Sequence, residues 1–188
     1  MKKIKTSVLL LAVIFTSSCA ISVVAPVKWS LQEEGIVLRV YADNKLHSEV
    51  GKAKPLNLIV YQLKNPASFN KLADDKTGLY KMLKCKEFDH SVATVKKIKV
   101  SPGSEAIYKI DRAEGVSHIG IVAGYNAMEK EKVTRIFSVP VYIKKKGSFS
   151  SERQLVPAPL NIKVILGSDK IQDKIRVAFK GTEPREGR

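Results

Sequence analysis

Leu56-Asn57-Leu58-Ile59-Val60-Tyr61-Gln62-Leu63 decides how the rest of the chain is read. It is rich in β-branched and aromatic side chains, and Pro55 stands at its entrance, where the absent amide donor bounds a strand instead of interrupting one. Upstream, Gly35 to Ala42 (G-I-V-L-R-V-Y-A) has the same character. There Ile36, Leu38 and Val40 alternate with Val37, Arg39 and Tyr41, which makes one face apolar and the other mixed. Downstream, Val92 to Val100 and Ala106 to Ile110 flank Ser101-Pro102-Gly103-Ser104, a turn that reads as a hairpin connection. Val116 to Asn126, Val133 to Ile143, Leu160 to Leu166 and Ile175 to Phe179 supply four more strands. About eight strands with short, turn-rich connections predict a mainly β fold, an antiparallel two-sheet β-sandwich spanning 35–180 with a flexible tail at 181–188.

One helical insertion interrupts this pattern between Asn65 and Lys86. Asn65 suits a cap and Pro66 a first helical position, after which Phe69, Leu72, Leu79 and Leu83 recur on one stripe. Gly78 is expected to divide the segment into two short helices, and the stripe to pack on the sandwich.

The N-terminus reads as a secretory signal. Lys2, Lys3 and Lys5 precede an uncharged apolar run from Val8 to Phe15, too short for a stable membrane span, and Thr16-Ser17-Ser18-Cys19 follows. A cysteine directly after small residues selects a lipoprotein signal, in which its thiol receives a diacylglycerol before cleavage beside it. Thr16 departs from the leucine usual there. The competing reading is an ordinary signal with a chance cysteine at its end. A signal at 1–18 leaves Cys19 as the lipidation site and 19–34 as a tether, in which Trp29 is expected to pack on the domain.

Loss of the signal removes three lysines and no acid, which lowers the formal charge from +15 to +12. Lysines 81, 84, 86, 96, 97, 99 and 144 to 146 are scattered among apolar residues and read as solvated faces and loop tips. Such a field also attracts anionic lipid, lipopolysaccharide or an acidic protein. Nucleic acid is disfavoured, since no recognition motif accompanies the charge. With Cys19 lipidated, Cys85 has no intrachain partner and reads as a small, reduced core residue.

No enzyme motif is present. His47, His90 and His118 lie far apart in no H-E-x-x-H arrangement, and neither a G-x-S-x-G elbow nor a P-loop occurs. Asp89-His90-Ser91 reads as a turn and not as a catalytic dyad. Metal, cofactor other than a covalent lipid, and small-molecule substrate are all unexpected. The rival to a protein-binding role is an envelope lipoprotein of another kind, pilotin-like or binding an anionic glycan or lipopolysaccharide.

Pro55-Leu56-Asn57-Leu58-Ile59-Val60-Tyr61-Gln62-Leu63-Lys64 followed closely by Phe69 resembles the signature of the TssJ family, outer-membrane lipoproteins of the type VI secretion envelope complex. The cysteine at 19, a strand before the signature, helix after it, Val100-Ser101-Pro102-Gly103 and Gly120-Ile121-Val122-Ala123-Gly124-Tyr125 stand in the family's order. The likeness covers roughly residues 35 to 143; the Lys144 to Glu152 segment matches nothing in it.

The resemblance implies a transthyretin-like sandwich at the periplasmic face of the outer membrane. Its partner would be the periplasmic domain of TssM, and it would have no enzymatic activity. It further implies that the loop joining the first two strands carries much of the partner contact. Here that loop is Asp43 to Lys54, with Asp43, Asn44, Lys45, Leu46, His47, Ser48, Glu49, Val50 and Lys52 as candidate residues. Leu46 and Val50 are expected to be exposed apolar anchors within a polar rim. Without the resemblance, the segment reads as a solvated loop; the helical region 66–85 is the alternative surface.

Cys19→Ser is expected to abolish acylation and to leave uncleaved precursor or released protein. Mass spectrometry of the mature N-terminus checks this, and an unmodified terminus at another residue contradicts the lipoprotein reading.

Overall fold

A computed structural model describes residues 25–48, 51–145 and 153–177, without the side chains of 145 and 173–177. The expected signal segment, Cys19, Glu49, Val50 and the expected tail at 181–188 therefore lie outside the described residues. In chain order the elements are β1 (Gln32–Ala42), β2 (Leu56–Leu63), α1 (Ala67–Ala73), α2 (Lys76–Leu83), β3 (Val92–Val100), β4 (Glu105–Arg112) and β5 (His118–Ala123). They continue with α3 (Lys130–Val133), β6 (Thr134–Ser138), β7 (Val141–Lys145), β8 (Arg153–Pro157), β9 (Leu160–Leu166) and β10 (Ile171–Val177). Two four-stranded sheets, β10-β9-β1-β4 and β3-β2-β5-β6, form the expected mainly β sandwich, and β7 pairs only with β8 in a separate ribbon.

Several expectations change in detail. Ten strands occur among the described residues: Pro140 divides the single run expected from Val133 to Ile143 into β6 and β7, and β8 was not expected. β1 begins at Gln32, inside the segment expected to be tether. The Ser101–Ser104 turn is not a hairpin connection: β3 pairs with β2 and β4 with β1, so the turn carries the chain from one sheet to the other. One pairing between the named strands is parallel, with Ile36 opposite Leu160 and Ala42 opposite Leu166. β9 re-enters after the β7/β8 ribbon at the end where β1 starts, and both strands run away from that end.

The helical insertion breaks at Asp74 and Asp75, not at Gly78. Asn65 Oδ1 accepts the Ala67 amide at 2.8 Å at the start of α1. Asp75, with extended backbone, caps α2 by accepting the Gly78 amide at 3.0 Å. Gly78 is buried inside α2, where a Cβ would overlap the Leu72 carbonyl; it lets the two helices close on each other and does not end either.

β2 is buried along nearly its whole length, with only Asn57 exposed. Tyr61 turns toward the helices: its hydroxyl donates to Met82 O at 2.5 Å, and its ring meets Phe69 edge-on at 5.9 Å and Phe88 at 5.4 Å. Burial raises its pKa well above the ordinary tyrosine value, with Cys85 adding to the rise. Gln62 crosses to the other sheet, donating to Asp111 O at 2.9 Å and accepting the Ala113 amide at 2.8 Å. The Tyr-Gln pair of the family signature is thus architectural, one residue holding the helices and the next holding the opposite sheet. Cys85 follows α2 in the left-handed region, with φ 55°, and is half-buried and free, less enclosed than expected.

Phe69 lies over Gly120 in the neighbouring strand, where an added Cβ would stand 2.5 Å from the Phe69 ring. Gly120→Ala is expected to destabilise the domain by about 1–3 kcal/mol through overpacking. Combining it with Phe69→Leu should cost less than the sum of the two single changes, because both act on one contact. Chemical denaturation of the four proteins checks this.

Candidate functional site

β1 connects the two ends of the sandwich. Its ten steps from Gln32 to Ala42 span roughly 30 Å at the usual strand rise. At the end where β1 starts lie residues 25–31, the Ala113–Ser117 connection and the base of the β7/β8 ribbon, where Ala158 donates to Pro140 O at 2.8 Å. At the end where it stops lie the 43–54 loop, the Ser101–Ser104 turn, the β9/β10 turn and the segment after β5.

At the far end, the first half of the 43–54 loop is held by its neighbours. The Ala42 amide donates to Ser104 O at 2.9 Å, the Asp43 amide to Leu166 O at 2.8 Å, and the Ser48 amide to Ser168 O at 3.1 Å. Asp43 folds the chain back, accepting the Lys45 amide on Oδ1 at 2.7 Å and the Leu46 amide on its carbonyl at 2.9 Å. The Lys54 amide donates to Leu46 O at 3.0 Å, closing the loop at its neck. His47 adopts φ 46°; its Nε2 donates to Asn126 Oδ1 at 2.9 Å, and its ring meets Tyr125 edge-on at 5.9 Å.

That fold-back overturns one expectation. Leu46 is fully buried and belongs to the core, so it is not an exposed anchor. The open end of a sandwich exposes apolar side chains unless something plugs it, and the turn at Asp43 directs Leu46 into that role. A single leucine in a polar segment carries no periodicity, so sequence alone could not separate a plug from a contact residue. Asp43, Asn44, Lys45 and Lys52 are exposed, and His47 and Ser48 half-buried. Two other motifs of the family resemblance serve this end. Gly103, at φ 67°, comes against the Asn44 side chain, and the Tyr125 hydroxyl lies 3.0 Å from both Gly167 O and Lys170 O of the β9/β10 turn. Burial raises the Tyr125 pKa above the ordinary value.

At the near end sits Arg112, which sequence reading missed. It is 1% exposed; Nη1 donates to Val116 O and Nη2 to Ser30 O, each at 3.0 Å, and the guanidinium stands 5.4 Å from the Trp29 ring centre. Burial lowers its pKa, yet an arginine stays protonated at neutral pH. The Gly115 amide donates to Trp29 O at 2.7 Å, so Trp29 packs on the domain as expected. An arginine among scattered cations gives no sequence signal of burial.

The remaining candidates do not converge. Among the described residues, no three His, Cys, Asp or Glu side chains are placed to hold a metal. Asp89 is occupied by Ser91, whose amide and hydroxyl donate to Oδ1 at 2.8 and 2.5 Å; hydrogen bonds from Ser68 and then Ser91 hold its carboxyl below the usual range. The segment is the turn expected, with His90 exposed. Lysines 81, 84, 86, 96, 97, 99 and 144 are exposed, as solvated faces require. α2 presents Tyr80, 48% exposed, on the alternative surface. No described helix is long and apolar enough to cross a membrane.

Fold and surfaces together define a β-sandwich domain with a helical pair, built around an inserted loop at one end and a docked N-terminal segment at the other. The chain belongs to the type VI secretion lipoprotein family described as VasD, EvfM and TssJ, whose model matches residues 34–166. It is similar in fold to the T6SS lipoprotein TssJ1 from Pseudomonas aeruginosa, at 20% identity and a TM-score of 0.55, over 79% of this chain and 97% of that one. It is similar also to Serratia marcescens Lip, a membrane-bound component of the type VI secretion system, at 16% identity and a TM-score of 0.51, over 79% and 99%. A third similar chain comes from the structure of the TssM C-terminal domain from EAEC, at 12% identity and a TM-score of 0.53, over 74% and 96%. No match was found among curated proteins.

Leu46→Ala is expected to cost about 2–5 kcal/mol, as a core truncation does. Lys45→Ala should stay within about 0.5 kcal/mol. Thermal or denaturant unfolding distinguishes the plug from its exposed neighbour.

Proposed function

We propose that this protein is a periplasmic lipoprotein, anchored in the outer membrane through Cys19, that binds the periplasmic domain of TssM and so ties the type VI membrane complex to the outer membrane. It acts as a tether and not as a catalyst, and the acyl group on Cys19 is the only added group the role requires. Family membership supports the setting. The observation that carries the reading is the position of the 43–54 loop, at the opposite end of β1 from the segment that leads back to Cys19. A domain held at one end by its lipid presents that loop away from the membrane.

The recognition surface consists of Asp43, Asn44, Lys45, His47, Ser48 and Lys52, together with Glu49 and Val50, whose placement lies outside the described residues. Leu46 acts from beneath, holding the loop in shape. Lys45 and Lys52 orient the approach of an acidic partner, an effect carried mainly by the association rate.

Removal of the whole loop would strip Leu46 from the core, so the test keeps the backbone length and the plug. Replacement of Lys45, Glu49, Val50 and Lys52 by serine should leave the melting temperature near wild type and weaken binding to the TssM periplasmic domain at least tenfold in surface plasmon resonance. Wild-type affinity in the folded variant rejects this surface and redirects attention to α2 and Tyr80.

A further inference from the structure

The β7/β8 ribbon is the part of the molecule that neither the sandwich nor the proposed partner surface uses. It pairs with itself, Val141 opposite Pro157 through Lys145 opposite Arg153, and joins neither four-stranded sheet. Val141, Tyr142 and Ile143 are 43%, 45% and 56% exposed. Alternation puts Val141 and Ile143 on one face and Tyr142 on the other, so both faces of the strand are open. The strand β7 thus shows three consecutive large apolar side chains, while Leu155, Val156 and Pro157 of its partner β8 are half-buried. Its two strands, V-Y-I-K-K and R-Q-L-V-P, contain three cations and no acid. Lys144 and Arg153 are exposed beyond the apolar residues.

The position of the ribbon ties it to the N-terminal segment. Ala25 forms a parallel bridge to Gln154, and Gln154 lies opposite Lys144, so the first described residue of the chain lies against the ribbon's outer edge. Six residue steps lead from Cys19 to Ala25, and six extended steps reach at most about 20 Å. A lipid on Cys19 therefore holds the ribbon within that distance of the leaflet, on the side of the domain away from the 43–54 loop. Apolar residues beside a tyrosine and flanked by cations are the composition of an interfacial element: the apolar side chains enter the headgroup boundary while the cations meet lipid phosphates.

We propose that the β7/β8 ribbon is a second membrane contact, seated through Val141, Tyr142, Ile143, Lys144 and Arg153 in the anionic phospholipid headgroups of the leaflet that holds the anchor. The inference rests on the Cys19 anchor for its geometry. A second attachment holds the orientation that the lipid at one end of the domain favours. The ribbon thereby sets the 43–54 loop pointing away from the membrane.

The test uses the full-length protein processed in cells and reconstituted through its own anchor into vesicles of phosphatidylcholine with or without phosphatidylglycerol. In a Cys85→Ser background, an environment-sensitive fluorophore is placed at Tyr142→Cys or, as a control at the far end, at Lys45→Cys. With phosphatidylglycerol present, a lipid-borne quencher should reduce the emission at 142 at least threefold more than at 45. Lys144→Glu with Arg153→Glu should remove that difference while the protein still floats with the vesicles. Equal, water-like signals at both sites in floating protein overturn the ribbon contact and leave the anchor intact. An unacylated N-terminus refutes the anchor instead. The unacylated protein then tests the ribbon by itself: flotation with phosphatidylglycerol vesicles that Lys144→Glu abolishes sustains the contact, and no flotation overturns it.

Discussion

β2 must be covered on both faces, and most of the architecture follows from that requirement. A strand with a buried residue at seven of its eight positions cannot lie in a half-solvated sheet. One face receives the opposite sheet, and Gln62 satisfies its buried amide there by bonding across to Asp111 and Ala113. The other receives α1 and α2, whose arrival demands a glycine at 120 under Phe69 and another at 78 against Leu72. Neither helix is long enough to be stable alone, so the apolar surface of β2 and β5 is what keeps them helical. The helical insertion is thus the missing third layer of the sheet.

The two ends of the sandwich solve the same problem in different chemistry. At the far end Leu46 caps the core with an apolar side chain and asks only for a turn at Asp43. At the near end the cap is Arg112, a charge removed from water, whose desolvation is offset by two carbonyls and the Trp29 face without a carboxylate within ion-pair distance among the described residues. Those acceptors belong to residues 29–30 and 116, so the arginine welds the N-terminal segment to the sandwich. For the tether we propose, this is where load enters. From Ser30 it passes into β1, which is bonded to β4 on one side and β9 on the other along its length. A pull along β1 must therefore shear two ladders together.

Elements with a period, and turns with special chemistry, were legible in the sequence. The strands around β2, the stripe through Phe69 and Leu79, and the Asp89-His90-Ser91 turn all stand where alternation and turn residues put them. Partner choice between strands was not: proline and glycine at 102 and 103 dictate a reversal of direction, but a reversal within a sheet and a crossing between sheets use the same turn chemistry. Gly78 read as a breaker because only its weak helix propensity is visible locally, while its use, close helix approach, needs the tertiary contact. The 43–54 loop was legible as a segment, and one of its side chains was misread. Loop length and composition mark 43–54, whereas the burial of Leu46 depends on an open sandwich end that no local window contains.

That misreading changes how the loop is understood to work. A long exposed loop with a central apolar anchor would be ordered only when its partner arrived, and the ordering cost would be subtracted from affinity. With Leu46 already in the core, Asp43 folding the backbone, His47 on Asn126 and Ser48 on the β9/β10 turn, residues 43–48 are organised before any partner is met. Their exposed groups are polar and charged, so in the role we propose they would orient an incoming surface more than bury apolar area. Under that proposal, specificity in this half of the loop lies in where Asp43, Asn44 and Lys45 are held. The residues that hold them, among them Gly103, Tyr125 and Leu46, are hidden from the partner and belong to the motifs and core of the sandwich itself.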